Sequence, residues 1–184
     1  MSAVQPLLRR VPIRLPGGWD EWAAVAVLVP AAVLVGGVRP LTAGLLWLAA
    51  VTPRLIAVDT VEHRLPDAVL LPGYPIVLAA VVLDSLGAGG DPELVLGSGV
   101  AYGALLLVLH LSGGMGLGDV KLAPLLGLLA GALGPAAAVA SPLAAFLVGG
   151  VVATVAALRG GLHRAVPFGP SMLLGAWGAL LLAG

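Results

Sequence analysis

From residue 22 to the C-terminus the chain is a succession of apolar runs, separated only by short polar or glycine-rich breaks. The runs are Trp22 to Val38, Leu41 to Val58, Ala68 to Leu86, Leu94 to Leu111, Lys121 to Leu133, Ala136 to Leu158 and Phe168 to Ala183. A helix of about 20 apolar residues crosses a bilayer. Only 10% of the 184 residues are charged, too few to cover a water-soluble domain of this length. The expectation is an all-α, polytopic membrane bundle of about seven transmembrane helices. The count falls to six if the short fifth run is half of a re-entrant hairpin rather than a span in a locally thinned bilayer. No long polar stretch remains to fold in water. Residues 1–184 therefore read as one membrane-embedded domain, with residues 1–20 as a cytoplasmic N-terminal segment. Arg9, Arg10 and Arg14 before the first run also fit a signal peptide, but no small-x-small cleavage site follows and further spans do.

Basic residues orient the spans, because cytoplasmic ends carry the excess of Arg and Lys. With seven spans and the N-terminus inside, Arg9, Arg10, Arg14, Arg54, Arg64, Lys121, Arg159 and Arg164 lie at cytoplasmic ends, and Arg39 alone lies outside. If the fifth and sixth runs made one crossing, Arg159 and Arg164 would face outward. The charge pattern therefore favours counting the fifth run as a span. The implied location is the inner, cytoplasmic membrane. Formal net charge is zero, which leaves no nucleic-acid footprint. The chain has no cysteine, which excludes disulfides, thiolate metal sites and a cysteine nucleophile. Gly99-x-x-x-Gly103 and Gly127-x-x-x-Gly131 each place small residues on one helical face, where helices approach closely. Small residues also abound throughout this chain. Pro30, Pro75, Pro124 and Pro142 are expected to kink or locally unwind their helices.

Two aspartates stand out against this background. Asp59 follows the second run, within Val58-Asp59-Thr60-Val61-Glu62-His63-Arg64-Leu65-Pro66-Asp67. Asp119 opens the fifth, within Gly113-Gly114-Met115-Gly116-Leu117-Gly118-Asp119-Val120-Lys121-Leu122. Ionisable groups at membrane depth are costly and mark functional sites by default. Under the topology above both lie at the same, cytoplasmic, depth. Two close carboxylates cannot both ionise cheaply, so one keeps a proton while the other is an anion. The anion can activate water and the acid can polarise a carbonyl, which is the chemistry of peptide hydrolysis. Asp119 begins a helix and Asp59 ends one, so the helix dipoles predict Asp119 as the base and Asp59 as the acid. The glycines before Asp119 permit close backbone approach, either by an extended substrate or simply within a flexible loop.

Gly116-x-Gly118-Asp119-x-Lys121-Leu122, with Asp59 followed seven and eight residues on by Pro66-Asp67, resembles the type IV prepilin peptidases, intramembrane aspartyl proteases of the GxGD class. Pro167-Phe168-Gly169-Pro170 is similar to the C-terminal phrase of that family, so the resemblance runs from Leu41 to the C-terminus. It implies that Asp59 and Asp119 are the catalytic pair, with Gly116, Gly118, Lys121, Pro66 and Asp67 shaping the site or touching substrate. It implies a prepilin or pseudopilin precursor as substrate, cut after its short basic leader, with no cofactor. Long members carry a cysteine-bearing N-terminal domain linked to N-methylation. With no cysteine here, the resemblance implies a short form with cleavage alone.

Other polar residues have plainer readings. Pro66-Asp67 reads as a turn and helix N-cap, and Lys121 as either a counter-charge to the pair or a headgroup anchor. Glu62, His63 and Arg64 read as a solvated loop, and Asp84, Asp91 and Glu93 as ordinary charges at the outer face. His63, His110 and His163 lack metal-ligand spacing. Trp22, Trp47 and Trp177 read as interfacial anchors or packing residues. Two rival functions stay open: a proton-coupled transporter, which predicts an internal repeat and midplane acids, and a catalytically inactive membrane scaffold. Oligomeric state has no sequence signal.

Overall fold

The computed structural model describes residues 18–159 and 167–184. The expected cytoplasmic charges Arg9, Arg10, Arg14 and Arg164, and His163, lie outside the described residues. The described chain is all-helical: α1 (Trp19–Gly36), α2 (Leu41–Glu62), α3 (Asp67–Leu70), α4 (Gly73–Ala88), α5 (Pro92–Leu111), α6 (Leu117–Ala132), α7 (Pro135–Leu158) and α8 (Gly169–Ala183). Five stretches are long and apolar enough to cross a membrane: α1, α2, the α3–α4 unit, α5 and α7. The bundle is a polytopic membrane fold, as expected from the sequence, with large apolar side chains such as Val27, Leu34, Val100 and Leu147 facing outward.

The two remaining runs are short helices, 16 residues in α6 and 15 in α8. Their burial explains the shortness. In α6 the residues from Leu122 to Gly131 are buried almost without interruption. α6 packs against α2, α4, α5, α7 and α8 and so lies at the centre of the bundle. A helix sheathed in protein need not match the bilayer thickness.

The third run is interrupted. Pro72 and Pro75 remove two backbone donors three residues apart, and α3 ends before α4 begins at Gly73. Pro75, expected to kink its helix, falls in the first turn of α4, where its missing N–H has no partner to lose. Helices α1, α6 and α7 continue through Pro30, Pro124 and Pro142, and α2 continues through Pro53.

The paired glycine motifs meet across the α5–α6 contact. A methyl group on Gly127 would lie 2.5 Å from the Ser98 carbonyl oxygen, and one on Gly99 2.9 Å from Leu128 Cγ. Ser98 Oγ donates to the Gly127 carbonyl at 2.9 Å, which adds a polar link to the seam. The glycines are therefore a packing surface and not a reflection of composition.

Asp84 departs from its reading as an ordinary interface charge. It is buried in α4 and takes both forks of Arg39, from Nε at 3.1 Å and Nη2 at 2.5 Å. Arg39, the lone basic residue assigned to the outer side, neutralises it. Asp91 caps α5 by accepting from the amides of Glu93 and Leu94. Of the tryptophans, Trp177 is buried and donates from Nε1 to Thr52 Oγ1 at 3.0 Å, Trp47 packs on the core, and Trp22 is largely exposed.

Candidate active site

At one end of the bundle the C-terminal end of α2, the segment 63–66, α3, and the loop from α5 into α6 enclose a cleft of about 890 Å³. Asp59 and Asp119 both line it. Glu62, Arg64, Asp67 and Lys121 add charge to its walls.

α2 runs one turn further than the apolar pattern indicated, to Glu62, because Thr60 and Glu62 extend it beyond the membrane-depth residues. Asp59 thus sits in the last turn, where its carbonyl accepts the closing bond from the His63 amide at 3.0 Å. His63 ends the helix in the left-handed conformation, φ 52°. α6 begins at Leu117, four residues earlier than expected, because Gly116 serves as its N-cap. Asp119 therefore lies in its first turn. Its carboxylate turns back toward Gly116, as an acidic residue at this position of a helix commonly does.

The two side chains are buried, 5% exposed for Asp59 and 7% for Asp119, and near enough for their charges to interact. Asp59 has a further partner: the Gly169 amide donates to its Oδ2 at 3.0 Å. Gly169 opens α8, so the positive end of that helix meets Asp59. The expected division of roles, which rested on each residue's own helix, loses its basis. Both aspartates face a helix N-terminus, one its own and one from α8.

Leu65 joins the two halves of the site. A methyl on Gly118 would lie 2.7 Å from Leu65 Cβ and 3.0 Å from its nitrogen, and one on Gly169 would reach Leu65 Cδ2 at 3.5 Å. Gly118 is thus needed for close approach of the chain's own 63–66 segment. Gly116 and Gly118 line the cleft but are spoken for within the fold. Sequence reasoning passed over Leu65, and nothing in its surroundings marks it. His110, weighed in the sequence only as a metal ligand, has its Nδ1 2.7 Å from the Met115 carbonyl and lines the cleft while holding the glycine loop. Its only signal is its position five residues before Met115.

Asp67 and Lys121 form an ion pair, Nζ to Oδ1 2.7 Å, that ties α3 to α6 at the mouth of the cleft. The N-cap reading of Asp67 is corrected: Pro66 occupies the cap position, no side chain caps α3, and the Asp67 carboxylate goes to Lys121 instead. Lys121 is therefore a counter-charge to Asp67, and its carbonyl accepts from the Tyr74 hydroxyl at 2.7 Å. Among the described residues no group of three His, Cys, Asp or Glu side chains is arranged to hold a metal ion.

The arrangement offers two shielded carboxylates at helix ends, beside a polar space large enough for an extended peptide segment. A family model described as the type IV leader peptidase family matches residues 41–158, which spans α2 to α7 and both aspartates and stops short of Pro167-Phe168-Gly169-Pro170. No curated protein and no solved structure matches the chain.

Proposed function

Because the chain belongs to the type IV leader peptidase family, we propose that it is an intramembrane aspartic endopeptidase that removes the basic leader of prepilin-like or pseudopilin precursors at the cytoplasmic face of the inner membrane. The observation that carries this reading is the meeting of Asp59 and Asp119, 60 residues apart in sequence, in one polar cleft. One carboxylate, ionised, takes a proton from water as the water oxygen bonds to the scissile carbonyl carbon, and the other, protonated, donates to the carbonyl oxygen; the tetrahedral intermediate then returns that proton and expels the amine, which takes the proton held by the first carboxylate as the C–N bond breaks. The pair titrates as a unit, so the two roles belong to the pair. The Gly169 and Gly116 amides hold the carboxylates. Glu62 complements a cationic leader, and the Asp67–Lys121 pair keeps the cleft mouth in shape. The positive-inside pattern of Arg54, Arg64, Lys121 and Arg159 supports a cytoplasmic cleft.

Co-expression with a prepilin-like precursor tests the reading through the size shift of the precursor. Cleavage is expected in the wild type and lost in Asp59→Asn and in Asp119→Asn, each of which keeps its helical circular dichroism. Cleavage that persists in both variants excludes the mechanism.

A further inference from the structure

Five residues, Ser112 to Gly116, link α5 to α6, and three of them are glycine. The first part of the link is closed by backbone bonds. The Gly113 amide donates to the His110 carbonyl and the Gly114 amide to the Leu109 carbonyl, both at 2.9 Å, with Gly113 left-handed at φ 83°. Glycine has the most backbone freedom to lose, so such a link holds no conformation by itself. Yet it ends at Gly116, whose amide meets the Asp119 carboxylate. The position of that amide has to be fixed by something outside the glycines.

His110 stands in the last turn of α5 and lines the cleft. Its Nδ1 reaches across the link to the Met115 carbonyl at 2.7 Å. A carbonyl oxygen only accepts, so Nδ1 carries the proton, and the contact selects that tautomer of the neutral ring. The Met115 carbonyl and the Gly116 N–H are two ends of one peptide group. They point in opposite directions across a planar trans bond. A donor held on the carbonyl end therefore sets the direction of the N–H and polarises it toward its own acceptor. That acceptor is Asp119, and the bond is strongest when the carboxylate is ionised.

We propose that His110 is a positioning residue for Asp119: its Nδ1–H holds the Met115–Gly116 peptide group so that the Gly116 amide fixes the carboxylate in the cleft. The proposal rests on Asp119 being one of the two acids that cut the peptide. In this role His110 touches neither the attacking water nor the substrate. Asparagine can replace it, because its Nδ2 stands where Nδ1 stands. Glutamine carries its amide one bond further out and cannot.

Met115–Gly116 is the one Met–Gly junction in the sequence. The full chain, labelled with carbonyl carbon-13 methionine and nitrogen-15 glycine in detergent micelles, therefore gives a single NMR correlation that reads this peptide group. The Gly116 amide proton is expected to move upfield in Asp119→Ala. In His110→Ala both the Met115 carbonyl carbon and the Gly116 amide proton are expected to move upfield. His110→Asn returns them toward their wild-type positions and His110→Gln does not. Cleavage of a prepilin-like precursor is scored separately on the same proteins. The kcat is expected to fall about tenfold in His110→Ala and His110→Gln at unchanged KM, and to recover most of that loss in His110→Asn. A correlation that stays put in His110→Ala, asparagine and glutamine variants that behave alike, or a rise in KM at constant kcat overturns the proposal. The expected NMR shifts without cleavage by the wild type keep the contact from His110 to Asp119 and overturn the peptidase reading. Cleavage with an unmoved correlation keeps the peptidase and overturns the role of His110.

Discussion

A methyl group built on Gly169 would lie 2.7 Å from Asp59 Oδ2, in the space now used by the hydrogen bond from the Gly169 amide. Gly169→Ala must therefore push the carboxylate away or rotate the start of α8. A hydrogen bond to a charged group is worth roughly 1.5–3 kcal/mol, so precursor cleavage is expected to fall about tenfold or more. The helical dichroism of the variant should stay unchanged. A wild-type cleavage rate would show that the contact does not position Asp59. At the opposite end, Arg39→Ala leaves the Asp84 carboxylate buried without its partner. An abandoned buried charge costs about 3 kcal/mol. The expected outcome is a clear drop in thermal midpoint in detergent micelles, reversed when Asp84→Leu is added. An unchanged midpoint in Arg39→Ala would mean the fork contributes nothing. Neither contact was legible in the sequence. Asp84 is 45 residues from Arg39, and Gly169 is 110 from Asp59. No local pattern marks partners at such separations.

At the scale of elements, the α5–α6 seam holds α6, whose first turn carries Asp119. Gly127→Val would force side-chain atoms into the Ser98 backbone, 2.5 Å from where its Cβ would stand. Overpacking of this kind costs about 1–3 kcal/mol, and the loss should appear as a lower thermal midpoint with reduced cleavage. Gly150→Ala is the control: a Cβ there meets nothing within 4 Å, and alanine favours the helix by roughly 0.5–1 kcal/mol. Equal midpoints for the two variants would remove the seam from the argument. The spans themselves were readable from hydropathy, because a lipid-facing helix must be apolar along its length. Their ends were not. α2 continues through Thr60 and Glu62, and α6 starts at Leu117, because polar residues at membrane-water boundaries extend a helix without an apolar signal. The α3–α4 break was also missed. Prolines in the first turn of a helix are tolerated, so Pro75 pointed to a kink while Pro72 marked the interruption.

At the scale of the whole molecule, the topology proposed from the basic residues, seven spans with the N-terminus inside, would put residue 90 outside and residue 159 inside. Reporter domains fused after Gly90 and after Arg159 are expected to report opposite compartments, and matching signals would rule the topology out. Sequence alone determined that the chain is a helical membrane bundle, because so few charges and so many apolar runs leave no other way to satisfy the backbone. It also singled out Asp59 and Asp119, because a carboxylate among apolar residues is costly enough to need a reason. Tertiary structure decided what surrounds them: the Gly169 amide, the Leu65 contact with Gly118, and the diversion of Asp67 to Lys121. These depend on which helices pack together and at what distance. Packing is set by the summed shape of small and large side chains on several helices at once, a quantity that no single segment of the sequence contains.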